Sequence, residues 1–135
     1  MKITEDYCSF ELSKLLKEKG FDQNCATYYL DGQVWRHYHG EVIPKGKQIC
    51  AAPTQAVAMK WLREVHHIHT EICLYKINEN DVEPKKSRKT PYYTFGIWDS
   101  VIGDNVDKRL TNDFIGDSYE EAAEAAIKYC LENLI

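Results

Sequence analysis

Residues 27–39 read "TYYLDGQVWRHYH", with Asp31 and Gly32 set between aromatic and β-branched runs. A two-residue hairpin turn needs positive φ at both central positions, which Asp-Gly adopts at little cost, so this stretch predicts an antiparallel hairpin. The register follows: Leu30 pairs with Gln33 and Tyr28 with Trp35. Leu30, Tyr28, Trp35, His37 and His39 then share one face, and Tyr29, Val34, Arg36 and Tyr38 share the other. A hairpin buries too little surface to stand alone, so the rest of the chain must supply what packs on it.

Three helical periods are available. Cys8, Leu12, Leu15 and Leu16 predict a helix over residues 6–19, ended by Gly20 as the C′ residue and capped at its start by Thr4 or Ser9. After a loop around residues 44–47 and the apolar "QICAA", a second helix opens at "PTQ" with Thr54 as N-cap. Its expected buried stripe is Val57, Trp61 and Val65, flanked by Ala58 and Leu62. In "SYEEAAEAAIKYCLENL", Ser118 and Glu121 form an S-x-x-E capping box. The expected stripe there is Tyr119, Ala122, Ala123, Ala126, Ile127, Cys130, Leu131 and Leu134, whose alanines allow close approach to a sheet.

Two further strands lie between the last two helices. "TEICLYKI" is apolar on both sides, as expected of a central strand covered on both faces. "YYTFGIWD" puts Tyr93, Phe95 and Ile97 on one face and Tyr92, Thr94 and Trp98 on the other, and Gly96 suggests a bulge or a close backbone approach. The polar "NENDVEPKKSRKTP" and residues 101–117 read as irregular connections. The order is α-ββ-α-ββ-α, an α+β fold with helices packed on a mainly antiparallel sheet. At 135 residues it fits a single domain spanning 1–135.

Composition narrows the function classes. The formal charge of −4 gives no general attraction to nucleic acid or anionic lipid. The acid is concentrated late: from Asp99 onward nine Asp or Glu face three Lys or Arg, against eight and nine in residues 1–70. That asymmetry reads as a solvated helix face. Five widely spaced cysteines, Cys8, Cys25, Cys50, Cys73 and Cys130, read as reduced thiols and a cytoplasmic location. The start "MKITEDY" has no apolar leader region and no stretch approaches 18 apolar residues, so no membrane partner is expected.

Chemical motifs are sparse. Three histidines crowd into "REVHHIHTE", and His37, His39, His66 and His69 are the candidate metal ligands. Zinc sites use close pairs fixed by the backbone, but there is no C-x-x-C, and histidines in a last helical turn already serve free carbonyls and the helix dipole. The run is expected to be a helix-to-strand junction, with no resident metal or cofactor. It becomes a site only if His37 or His39 lies beside it. G-x-S-x-G, phosphate loops and a complete EF-hand loop are absent, and Cys8, Cys73 and Cys130 fall on apolar stripes where thiols are core residues. No catalytic residue is assigned. Lys85, Lys86, Arg88 and Lys89 form a basic run that, beside Tyr92, Tyr93 and Trp98, is the candidate nucleic-acid contact. A solvated loop is the plainer account.

Nine tyrosines and three tryptophans exceed what so small a core hides. Such rings are enriched where proteins meet partners, so Trp35, His37, His39, Tyr92 and Trp98 are the candidate partner-binding residues. A flat aromatic patch or a symmetric dimer seam would favour a binding module with a protein partner or a second copy. A closed pocket of His, Tyr and Trp would favour a small enzyme or metal protein.

The blocks "ITEDYCSFELSKLLKEKGF", "AAPTQAVAMKWLREVHHIH" and "SYEEAAEAAIKYCLENLI" resemble those of a family of short uncharacterised proteins of anaerobic gut bacteria and their phages and mobile elements. The family brings no known activity and no functional residues to transfer. The resemblance implies an accessory or host-interaction role, and the expectation is a non-catalytic binding module.

Overall fold

The computed structural model describes residues 1–36, 49–75, 91–106 and 114–135. The elements are α1 (Phe10–Glu18), β1 (Thr27–Leu30), β2 (Gln33–Arg36), β3 (Ile49–Ala51), α2 (Gln55–His66), β4 (Ile68–Tyr75), β5 (Tyr92–Asp99) and α3 (Tyr119–Asn133). The fold is α+β, with two antiparallel sheets, β2-β1-β3 and β4-β5, and helices packed against them.

The hairpin forms as its turn dictates. Asp31 and Gly32 have φ of 48° and 82°, and Leu30 pairs with Gln33 and Tyr28 with Trp35. "QICAA" adds a strand not assigned from the sequence: β3 pairs antiparallel with the other edge of β1, Cys50 opposite Tyr29. Three residues are too few for a period to show.

Helix α1 begins four residues later than expected. Ser9 is the cap, accepting from the Leu12 amide at 3.2 Å. Residues 6–8 instead run extended beside the start of α2: the Cys8 amide donates to the Pro53 carbonyl at 2.9 Å and the Gln55 amide to the Asp6 carbonyl at 2.8 Å. At the other end, Gly20 (φ 95°) closes a Schellman motif, its amide bonding to Lys17 and that of Phe21 to Leu16.

Thr54 caps α2 through the Val57 amide. The buried face of α2 is Gln55, Ala58, Met59, Trp61 and Leu62, while Val57 and Val65 are exposed, which corrects the expected stripe. Apolar residues at 57, 58, 59, 61, 62 and 65 span more than one helical stripe, and contact with β4 and α3 selects the 58–62 side. His66 is the last helical residue, His67 is the left-handed C-cap (φ 57°) and Ile68 opens β4, so the histidine run is the expected junction.

Among the described residues strand β4 does not lie at the centre of a sheet. Among the described residues it pairs only with β5, and its burial alternates, with Ile68 and Thr70 buried and His69 and Glu71 exposed. The apolar residues that made it look two-faced, Leu74 and Tyr75, are exposed at its end. Gly96 makes no bulge, since eight successive pairs run unbroken from Ile68–Asp99 to Tyr75–Tyr92. The other edge of β5 meets the following segment through bridges Trp98–Asn105 and Tyr93–Gly116.

Helix α3 starts at its capping box, the Ser118 hydroxyl accepting from the Glu121 amide at 3.2 Å. The Glu121 carboxylate closes on the Asp117 amide at 2.8 Å rather than on that of Ser118. Ala122, Ala123, Ala126, Ile127, Cys130 and Leu131 are buried. Tyr119 is exposed and Leu134 half-buried, because both lie at the ends of the helix. One core joins α1, α2, α3 and the inner face of β4-β5 through Leu16, Leu62, Ile97, Ile127 and Leu131. A smaller cluster of Tyr29, Cys50, Ala52 and Phe10 closes the first sheet.

The alanine face of α3 sets its spacing from β4 and β5. Ala126→Leu should therefore destabilise the fold by about 1–3 kcal/mol, read as a lower urea unfolding midpoint, although it adds apolar surface. Ala125→Leu, at a half-buried position, should cost less than Ala126→Leu.

Candidate functional site

Helices α2 and α3 take the inner face of the β4-β5 ribbon, formed by Ile68, Thr70, Ile72, Phe95 and Ile97. Side chains alternate along a strand, so the intervening residues form an outer face. The register sets His69 opposite Trp98, Glu71 opposite Gly96, Cys73 opposite Thr94 and Tyr75 opposite Tyr92.

Trp98 is fixed on this face. Its Nε1 donates to Glu71 Oε2 at 3.1 Å, and Glu71 is its diagonal rather than its direct partner. Further along, the Tyr75 and Tyr92 rings lie 5.3 Å apart; Tyr75 is 47% exposed and Tyr92 only 4%. Cys73 also faces outward, half-buried, rather than sitting on a core stripe. Burial and then the Glu71 charge push its thiol above the ordinary range, so it is a neutral thiol and not an activated nucleophile.

A stiff turn closes the ribbon. Asp99 Oδ1 accepts from the Val101 and Ile102 amides at 2.8 and 3.1 Å, which holds its carboxyl below the usual value. The Ser100 amide bonds to the His67 carbonyl at 2.8 Å. Val101 and Ile102 stand exposed at this end.

The candidate residues named from the sequence separate accordingly. Tyr92 and Trp98 share the outer face, but only Trp98 presents surface there. Trp35 belongs to β2 in the other sheet. His37, His39, Lys85, Lys86, Arg88 and Lys89 lie outside the described residues. His66 packs edge-on against Trp61 at 4.6 Å with its Nε2 buried, whereas His69 is exposed on the outer face. Among the described residues no group of three or more His, Cys, Asp or Glu is placed to hold a metal ion. Glu71 and Tyr75 were missed, and the signal available was the i, i+2 alternation with His69 once the strand is read as one-faced.

A second polar cluster joins the helix starts. Glu124 on α3 accepts from the Ser9 hydroxyl and, at 3.2 Å, from the Ser9 amide, while Gln55 Nε2 donates to the Glu120 carbonyl at 2.9 Å and lies 3.5 Å from Glu124 Oε2. Desolvation, and then the Glu120 carboxylate, raise Asp6 above the ordinary carboxylate value. The open cleft beside it, about 640 Å³, is lined by Tyr7, Gln55, Phe114 and Glu124 among others. Glu124 and Gln55 hold helix ends together there, which is a structural task. All five cysteines are free, and burial pushes Cys8 upward and Cys130 up to about 12.

Comparison with protein-family models, with curated proteins and with solved structures yields no match.

The Cys130 shift has a measurable consequence. Below pH 9, the ordinary thiol value, folded and unfolded chains both hold the proton. Between pH 9 and about 12 only the unfolded chain releases it, so stability falls as pH rises, on the order of 1.4 kcal/mol per pH unit. In urea titrations, the stability advantage of the parent over Cys130→Ala should therefore shrink by about 1 kcal/mol from pH 8 to pH 10. A constant difference would contradict the shift.

Proposed function

We propose that this protein is a non-catalytic binding module that engages a protein partner through the outer face of β4-β5, centred on Trp98 with His69, Glu71 and Tyr75. The observation that carries the reading is the Trp98 Nε1 to Glu71 bond between the paired strands. It fixes a large ring on two regular strands and satisfies its polar atom, so little side-chain freedom remains to be lost when a partner covers it. The His69 imidazole and the Glu71 carboxylate flank that anchor with groups able to bond to peptide and side chains, and the exposed Tyr75 ring extends the same face about 20 Å further along the strand. The resemblance to short proteins of gut bacteria and their mobile elements supports an accessory role of this kind.

The test is affinity capture from native lysate with mass spectrometry, comparing the parent with Trp98→Ala, Glu71→Ala and, as a control on the exposed face of α2, Lys60→Ala. Partner recovery should fall at least tenfold for Trp98→Ala, less for Glu71→Ala, and stay unchanged for Lys60→Ala, with melting curves confirming that each variant is folded. Equal recovery by folded Trp98→Ala and the parent would refute the reading.

A further inference from the structure

Trp98 and Glu71 meet solvent as one unit. The Glu71 carboxylate is exposed on β4, and Trp98, half-buried on β5, donates its Nε1 to Glu71 Oε2 at 3.1 Å. Among the described residues Glu71 makes no other hydrogen bond and no ion pair. The ribbon holds no cation to balance it: "IHTEICLY" and "YYTFGIWD" contain neither lysine nor arginine, and Glu71 is the one carboxylate among the outward residues of the two strands. The imidazole of His69, directly opposite Trp98, carries no permanent charge to stand in for one. A partner that covers the indole therefore covers this carboxylate too. Taking an unpaired carboxylate out of water is strongly unfavourable, so the covering group must bring positive charge with it.

We infer that the partner group seated on Trp98 is an arginine side chain of a protein, stacked on the indole and donating to Glu71; the inference rests on the outer-face reading and names its ligand chemistry. Tryptophan is the ring that best attracts a cation, and a guanidinium is the cation that lies flat on one. The same plane carries five N–H donors. A guanidinium over the ring can therefore bond at the ring's edge to Glu71 Oε1, the carboxylate oxygen that the indole does not use. Stacking and charge are then satisfied by one side chain. A lysine ammonium is a compact, strongly hydrated point charge, and it meets the ring and the carboxylate with less contact and no bidentate geometry. An acidic group would be repelled by Glu71, and an apolar one would leave the carboxylate buried and unpaired. Charge complementarity thus selects a basic segment, and shape selects arginine within it.

The probes are dodecapeptide pools with random flanks and a fixed central arginine, lysine, citrulline or glutamate, each passed over the immobilised full chain. Citrulline keeps the shape of arginine and removes its charge. The arginine pool should be retained at least tenfold better than the citrulline and glutamate pools, with lysine between them. Glu71→Gln, at an exposed position, keeps an oxygen that can accept from Trp98 Nε1 and loses only the charge, so it separates charge from ring placement. It should remove at least tenfold of the preference for arginine over citrulline, with a melting curve matching the parent. Equal retention of the arginine and citrulline pools, retention of no pool, or an unchanged arginine preference in Glu71→Gln would each overturn the inference. If Trp98→Ala nevertheless loses partners in lysate capture, the outer-face reading stands and the arginine assignment alone falls.

Discussion

The packing of α3 on the β4-β5 ribbon governs the rest of the molecule. Ala122, Ala123 and Ala126 are fully buried, and their small side chains bring the helix close enough for Ile127, Cys130 and Leu131 to reach the core shared with Phe95 and Ile97. That contact consumes the inner face of the ribbon. Because strand side chains alternate, the choice of inner face also decides which residues face outward: His69, Glu71 and Tyr75 on one strand, and Trp98 on the other. The candidate site follows from the alanines on the far side of the sheet.

The helix starts supply the second constraint. Ser9, Thr54 and Ser118 each cap a helix, and the three caps are tied together by the extended segment 6–8, by Gln55 and by Glu124. Free amides and positive dipole ends gathered in one region favour neighbouring carboxylates, and Glu124 accepts from both the hydroxyl and the amide of Ser9. Helix α1 is thereby held against α3 and carries β3, and with it the first sheet, into contact. The acid near the C-terminal end, read from sequence as a solvated face, is partly this connection.

Features written into neighbouring residues were legible in the sequence. The Asp31-Gly32 turn, the Thr54 cap and the Ser118 cap depend on contacts within a few positions and stand where expected, and the histidine run is a helix-to-strand junction, although β4 opens at Ile68, two residues earlier than read, and takes in His69. Features set by distant packing were not. The buried side of α2 was chosen by β4 and α3 among two apolar stripes that its sequence allowed equally. The segment 6–8 has helical periodicity, yet bonds to Pro53 and to the Gln55 amide as extended chain. Strand β4 looked two-faced because Leu74 and Tyr75 are apolar, although both remain exposed. At the site, Trp98 and its face were legible from alternation. Its Glu71 partner was not, because a diagonal bond requires a register that only the paired strands supply.

The ribbon keeps two kinds of surface apart. Residues 69, 71, 73 and 75 direct side chains outward and spend their peptide groups on β5, whereas residues 68, 70 and 72 direct side chains toward the helices and their peptide groups away from β5. A ligand on the outer face therefore competes for none of the peptide groups that β4 turns away from β5.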